Sequence, residues 1–475
     1  MSNSALQVYG GDEITAVVID PGSFSTNIGY SGTDCPQAIL PSYFGHYKAE
    51  DKPERVFSEQ SIGIPRPEYE VKSIVENGMV TDWDAAQDQW AWALKHLLHM
   101  ESNAGKPAFL TESIWNTIEN KKKSLEVLLE SLQFEACYLS STPTCVSFAT
   151  GRPNCLVVDV GHDTMSVSPV VDGMTLSKST TRNFFSGKFL NHLIKKSLGT
   201  KELLPLFEVE QRRPQFKRKK FDYRPDESLY RYANDAGFLQ ECKETLCQVA
   251  PSPLDKMKPE LNAMAKRSIE APWTEELVFD SETRFGFAEE LFYPNREDIP
   301  EGWPLSVDGV VETWHNDYIP LKRNKPIGKQ DKQSNDEGTP AAEAIPDTAD
   351  TTNENGKRPA EMDEKKATPG IADLVYSSII ASDVDLRASL AHNIVLTGGT
   401  SSIPGFSDRL MAELNRMLPA LKFRILTTGY TKEKQYQAWL GGSILTSLGS
   451  FHQLWVGKQE YEEVGPDRLL HDRFR

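Results

Sequence analysis

The sequence predicts an α/β protein of two similar lobes facing each other across a cleft, and three features carry that expectation. Apolar strand-like runs alternate with stretches of helical spacing along most of the 475 residues, the mixture that packs as layers of helix and sheet. One short pattern occurs twice. "VVIDPGSFSTNIGY" at 17–30 and "CLVVDVGHDTMSVSPVVDG" from 155 each run from an apolar strand through Asp-x-Gly into a second strand, so Asp20 and Asp159 fill corresponding places. A tight turn asks for the glycine but not for the acid. Finally, residues 322–369 contain no aromatic residue and almost no large apolar side chain. They cannot offset the ~1–2 kcal/mol per residue of backbone ordering, so they read as a disordered insertion.

In chain order, 12–45 reads as strand, turn, strand. Residues 84–100 have helical spacing, with Trp90, Ala93, Leu94 and Leu97 on one face. Residues 119–133 form another amphipathic helix, 155–178 return to strands, and 186–198, 236–249 and 405–418 are helical by the same count. "NIVLTGGTSSIPGFSDRLMAELNRML" is a strand, a Gly398-Gly399 turn and a helix after Pro404. The first lobe is expected at 1–158 with 440–475 returning to it, the second at 159–321 and 370–439.

Composition is that of a soluble globular chain, 39% hydrophobic and 25% charged. No apolar run reaches the ~18–20 residues of a membrane span, and the first residues lack the pattern of a secretory signal, so an intracellular protein without membrane contact is expected. The six cysteines form no CxxC pair and read as reduced, mostly buried thiols. A net charge of −16 repels nucleic acid and suits basic partners such as histones. The local exception is "QRRPQFKRKKF" at 211–221, open to three readings: a solvated loop, a nuclear import signal or a phosphate contact.

If the two turns face each other, their backbone N–H groups make two anion-binding concavities that would clasp a triphosphate. Glycine lets the backbone approach the phosphates closely. Each aspartate would hold waters around a Mg²⁺, which keeps much of its hydration. The GG turn leaves backbone exposed for a flat base, and Lys243-Glu244 in "QECKETLCQVA" is a fourth element, by itself a solvated helix face.

These four stretches, in this order, resemble the actin family. So do "YQAWLGGSILTSLGSFHQLWVGKQEYEEVGP" at 436–466, "SDVDLRASLAHN" and "FLTESIWNTIENKKKSLEVLLE". The match spans nearly the whole chain outside the insertion and implies the actin-like ATPase fold, two duplicated lobes around a nucleotide cleft. Within that family, "ALQVYGGDEITAVVIDPGS", "NCLVVDVGHD" and the insertion before "ADLVYSSI" resemble its nuclear, actin-related members. The resemblance implies ATP and Mg²⁺ as ligands. Gly22 and Ser23 would meet the terminal phosphates from one lobe, and Gly161, His162 and Asp163 from the other. Asp20 and Asp159 would hold the metal through water, and Gly187, Lys243, Glu244, Gly399 and Ser402 would surround the adenosine.

The departures shape the expected function. An actin lysine that reaches the phosphates is replaced by Asn27, and the second aspartate of the second phosphate loop by His162. The adenosine pocket carries Ile403 and Gln435 for a tyrosine and a lysine. Actin's water-positioning glutamine falls on Thr142 and its assisting histidine on Ser166, so negligible hydrolysis and no catalytic residue are expected. The segment "GHYKAEDKPERVFSEQS" and the insertion alter two filament contacts, so no self-polymerisation is expected. The resemblance implies a nuclear assembly subunit. It would pair with monomeric nuclear actin on a helicase-SANT-associated helix of a remodeller ATPase or acetyltransferase scaffold, and aid contact with histones or the nucleosome. The groove expected for that helix lies near Tyr461–Arg475 and the 370s. The alternatives are an ATP-hydrolysing, filament-forming cytoskeletal protein and, more remotely, a sugar kinase on the same architecture.

Overall fold

Two six-stranded sheets organise the chain, each built around one of the repeated hairpins. The structure, a computed structural model, describes residues 15–48, 55–305, 368–427 and 432–474. In the first sheet β1 (Val17–Pro21) and β2 (Ser25–Tyr30) pair antiparallel, and β3 (Ala38–Pro41) lies beyond β2. On the other side β4 (Pro107–Glu112) runs parallel to β1, and β5 (Ala136–Ser141) parallel to β4. In the second sheet β6 (Cys155–Val160) and β7 (Met165–Val171) form the hairpin, with β8 (Met174–Thr175) and β9 (Thr181–Asn183) antiparallel to β7. There β10 (Ile394–Thr397) is parallel to β6, and β11 (Ile425–Leu426) to β10. A last short strand, β12 (Val456–Gly457), returns to the first sheet beside β5.

The repeat extends to register. Asp20 lies opposite Asn27, and Asp159 opposite Ser166. Each hairpin's first strand has a parallel neighbour on its other side and is covered on both faces, which is why β1 and β6 read as unbroken apolar runs.

The predicted helices form at Trp83–His96, Ile118–Glu126, Gly187–Ser197, Leu239–Leu246 and Phe406–Met417. The first begins where the Asp82 side chain accepts from the Ala85 N–H and buries Trp90, Ala93 and Leu94. Leu97 falls just past its end and is 36% exposed, so the apolar face is shorter than the spacing predicted. Two helices carry a wider π turn, at Val127–Ser131 and Asn234–Phe238. The first of these buries Val127, Leu128 and Leu129 in succession.

Each sheet has its own apolar core. A third core between them joins Val18 and Phe109 of the first sheet to Val157 and Val395 of the second through Cys145, Val146 and Trp439. Here the Thr142–Ala149 and Gln437–Thr446 helices pack together. A Cβ added at Gly441 would sit 1.8 Å from the Cys145 carbonyl oxygen, so only glycine permits the contact. The Trp439 indole N–H donates to the Val18 carbonyl at 3.1 Å.

Five of the six cysteines are buried, and all are free thiols. Residues 322–367 of the expected insertion lie outside the described residues. Pro369 is placed, its carbonyl accepting from the Asn183 amide at 2.7 Å. The basic segment contributes to a small hairpin, Val209–Gln211 against Lys217–Arg218. Arg213 pairs with Glu270 at 3.1 Å, and Arg218 with Glu202 and Glu208 at 2.9 and 2.7 Å. Among the described residues no helix is long and apolar enough to cross a membrane.

Candidate functional site

The two turns are built alike. The Gly22 N–H donates to the Ser25 carbonyl at 3.1 Å, and the Gly161 N–H to the Thr164 carbonyl at 3.0 Å. A Cβ at Gly22 would stand 2.9 Å from the Ser25 oxygen, and one at Gly161 3.2 Å from that of Thr164, so each turn closes too tightly for an unstrained side chain.

Their aspartates are held differently. Asp20 is 8% exposed. One of its carboxylate oxygens accepts from Thr111 Oγ1 at 2.5 Å, the other from Asn27 Nδ2 at 3.1 Å. Burial raises its pKa, opposed by those two hydrogen bonds. Asp159 is half-buried, and burial together with the Asp20 charge pushes it up to about 7. A carboxylate whose pKa is raised by burial and by a neighbouring carboxylate is suited to a nearby cation. Asn27, which the sequence alone presents as a lost phosphate contact, orients Asp20.

A third element clips the turns together. The short hairpin Val75–Glu76 and Met79–Val80 turns at Asn77 and Gly78, with φ of 52° and 75°. The Asn77 N–H donates to the Asp163 carboxylate at 2.9 Å, and the Gly78 N–H to Ser23 Oγ at 3.1 Å. Trp115 braces the clip, its indole N–H on the Asn77 carbonyl at 2.9 Å, while the Arg182 guanidinium lies 4.6 Å over its ring. The Phe24 and His162 rings also join the two turns, 5.2 Å apart. Burial, with Lys243 and Lys188 nearby, holds His162 well below the usual histidine range, so it is neutral at physiological pH.

On the second lobe the Gly161 carbonyl is a node. It accepts from Ser186 Oγ at 2.6 Å, Thr400 Oγ1 at 2.7 Å and the Gly187 N–H at 3.3 Å. It thereby ties the second turn to the start of the Gly187–Ser197 helix and to the GG turn. Gly398, at φ 86°, lies so close to Asp159 that a Cβ would meet its carboxylate at 2.4 Å. Lys243 is 6% exposed, donates to the Gly187 carbonyl at 3.3 Å, and is pushed down to about 8 by burial. It makes no ion pair among the described residues. Ser402 Oγ is buried without a hydrogen-bond partner. A buried cation and an orphaned hydroxyl beside an exposed backbone turn fit a phosphorylated, hydroxyl-bearing ligand, and the twin carboxylates fit its metal.

The structure thus brings Asp20, Gly22, Ser23, Asp159, Gly161, His162, Asp163, Gly187 and Lys243 into one connected set. Gly399 lies beneath Gln435, whose Cγ a Cβ there would approach to 3.6 Å. Glu244 is exposed and accepts from Gln240 at 2.5 Å. Ile403 packs on the second sheet's core. Sequence reasoning passed over Phe24, Asn77, Gly78, Thr111, Trp115, Arg182 and Thr400. Of these only Asn77-Gly78 carried a local signal, the Asn-Gly pair of a tight hairpin.

The positions expected to lack hydrolytic groups are also defined. Thr142 opens its helix and donates its hydroxyl to the Glu112 carbonyl at 3.1 Å. Ser166 is 5% exposed and stands between Asp159 and Arg182 in the sheet. Neither side chain can take a proton from water near neutral pH.

Comparison with known proteins agrees with this geometry. The Actin family profile matches residues 11–475. The chain is 66% identical to Actin-related protein 4 of Saccharomyces cerevisiae and 63% identical to that of Eremothecium gossypii, with all of both chains covered in each case. It is 34% identical to Actin-related protein 4 of Schizosaccharomyces pombe, over 97% of each chain. The chain belongs to the actin family, whose fold is nucleotide-binding in general.

Proposed function

We propose that this chain is a non-enzymatic actin-related subunit that holds ATP as a structural ligand and serves nuclear chromatin-remodelling and histone-acetyltransferase assemblies. One observation carries the nucleotide half. The paired turns, the buried Lys243 and the orphaned Ser402 hydroxyl together fit a bound nucleotide, while the Thr142 hydroxyl is committed to the Glu112 carbonyl. Gly22, Ser23 and Gly161 would bind phosphate, Asp20 and Asp159 would orient waters on Mg²⁺, and Lys243 and Ser402 would meet the nucleoside end. The nucleotide supplies an anionic bridge between the two turns. A ligand specific for the folded state, present at ~1,000 times its Kd, adds about 4 kcal/mol of stability.

The assembly half draws on the resemblance and on exposed apolar surface. Tyr461, Leu469 and Leu470 belong to the first sheet's core, whereas Val464 is exposed. Tyr376 and Ile380 of the Ile371–Ala381 helix are exposed, as are Ile444, Leu448 and Leu454. A scaffold helix would lay its apolar face on such residues, beside monomeric actin. Histone contact would follow from the acidic balance.

Incubation with ATP and Mg²⁺ followed by extraction should return ATP. Recovery of mostly ADP would overturn the non-enzymatic reading. Mixing with monomeric actin and a helicase-SANT-associated helix should yield one ternary species by sedimentation. Separate peaks would refute the assembly role, and a large pellet of the pure protein in polymerising salt would refute the absence of filaments.

A further inference from the structure

A fourth apolar core joins the two lobes a second time. Strand β3 ends with Pro41 opposite Ser25, and the Ser42 N–H donates to the Phe24 carbonyl at 3.1 Å, so the chain passes the first acidic turn and continues beyond it. There Tyr43–Tyr47 and Tyr69–Ser73 pair as an antiparallel ribbon. The second lobe advances past its own turn in the same way. The Gly187–Ser197 helix starts at the Gly161 carbonyl, and its Asn191 amide donates to the Asp235 carbonyl at 3.3 Å. Asp235 belongs to the wide turn that follows the Glu227–Ala233 helix. The acidic turns therefore lie between the shared core on their strand side and this outer core.

Both lobes build the outer core. Ile62, Tyr69 and Val71 of the first and Leu229 and Tyr232 of the second are buried together, Ile62 and Leu229 completely. The Tyr43 and Tyr232 rings lie 5.1 Å apart. The Val71 N–H donates to Ser228 Oγ at 2.9 Å, and Lys48 Nζ to the Asp226 carboxylate at 2.6 Å. That ion pair is exposed and contributes little by itself. The apolar contact is the stronger part, because parting the lobes would return its surface to water. The Glu227–Ala233 helix, the wide turn at Asn234–Phe238 and the Leu239–Leu246 helix follow one another without a break. Leu229 and Lys243 thus ride on one helical run.

We infer that this outer core is a clasp that holds the lobes shut whether or not a nucleotide is bound, that Leu229 and Tyr232 are its positioning residues, and that its opening limits nucleotide release. The release half rests on the nucleotide reading above; the closed lobes do not. No residue of the nucleotide set takes part in these contacts, so removing the ligand leaves each of them in place.

The test uses the full chain in a Cys35→Ser background, Cys35 being the exposed native thiol. Lys48→Cys with Asp226→Cys replaces the exposed ion pair, and a short bismaleimide with a reducible link then joins the lobes. Cross-linking of protein stripped of nucleotide should proceed as fast as in ATP and Mg²⁺, and a rate that depends on ATP would overturn the clasp. Release of a fluorescent ATP analogue into excess ATP is followed next. The link should slow release at least tenfold, and reduction should restore it. Without the link, Leu229→Ala and Tyr232→Ala should each speed release by about tenfold, roughly 1.4 kcal/mol of barrier. Release unchanged by the link and by both alanine variants would confine the outer core to folding and end the gating claim. Failure of the analogue to bind at all would refute the nucleotide reading, and cross-linking of the stripped protein would still decide the clasp.

Discussion

The two acidic turns share a backbone and differ in how their carboxylates are satisfied. In the first, Asp20 is enclosed and accepts from Thr111 and Asn27, one donor to each oxygen. In the second, the residue opposite Asp159 is Ser166, and Asp159 is pushed up to about 7 by burial and by its twin. The two turns therefore share a cradle while their acids are held differently. In the first, two side-chain donors oppose a cost of burial that still raises the Asp20 pKa. In the second, burial and the Asp20 charge both make Asp159 costly to ionise.

The strongest way to sharpen that contrast is to rebuild chemistry at the second turn. Thr142→Gln combined with Ser166→His would place an amide and a titratable base near it, and ATP turnover should rise at least tenfold in a phosphate-release assay. Positioned acid–base groups contribute about 10²–10⁴-fold, so an unchanged rate would mean that these two side chains do not limit turnover. Next in size is Asp20→Ala in the nucleotide-free protein, which strands two buried donors and should cost about 2–4 kcal/mol in urea unfolding. Asp159→Ala under the same conditions should cost much less, and equal losses would erase the distinction between the turns.

The pH dependence of Asp159 has a definite sign. Its folded pKa, about 7, lies above the ordinary carboxylate value of 3.8. The folded state therefore binds the extra proton between these values, and stability declines as pH rises through that window. Nucleotide-free Asp159→Asn should accordingly be more stable than wild type at pH 8, by about 4 kcal/mol. That advantage should disappear near pH 4, and Mg²⁺ should no longer raise its melting temperature. A pH-independent difference would break the assignment. The smallest effect is steric. Gly22→Ala should cost about 1–3 kcal/mol and Gly161→Ala less, because the added carbon meets backbone oxygen at 2.9 Å in the first turn and 3.2 Å in the second. The reverse order in thermal unfolding would show that the second turn is the stiffer.

Much of this was legible in advance because it is local or periodic. Apolar runs marked β1 and β6, Asp-x-Gly marked the turns, and the 3.6-residue spacing marked the Trp83–His96 and Phe406–Met417 helices. The wide turn at Val127–Ser131 was not legible, since the spacing read 119–133 as one continuous helix and a single wider turn leaves no mark in residue type. Nor could apolarity alone separate core from surface near the C-terminus: Leu469 and Leu470 are buried against the first sheet, while Val464 is exposed.

By itself the sequence determined the two Asp-x-Gly turns, their common spacing, the presence of Thr142 and Ser166 and the family, because each of these is a matter of which residue stands at which position. Only the tertiary structure decided that Asn27 serves Asp20, that the Asn77-Gly78 turn clips Ser23 to Asp163, and that Trp115 and Arg182 brace it. Those contacts join residues distant in sequence. Hydrogen bonding and ring stacking act over a few ångströms of space, and that proximity is created only when the two sheets close on their shared core.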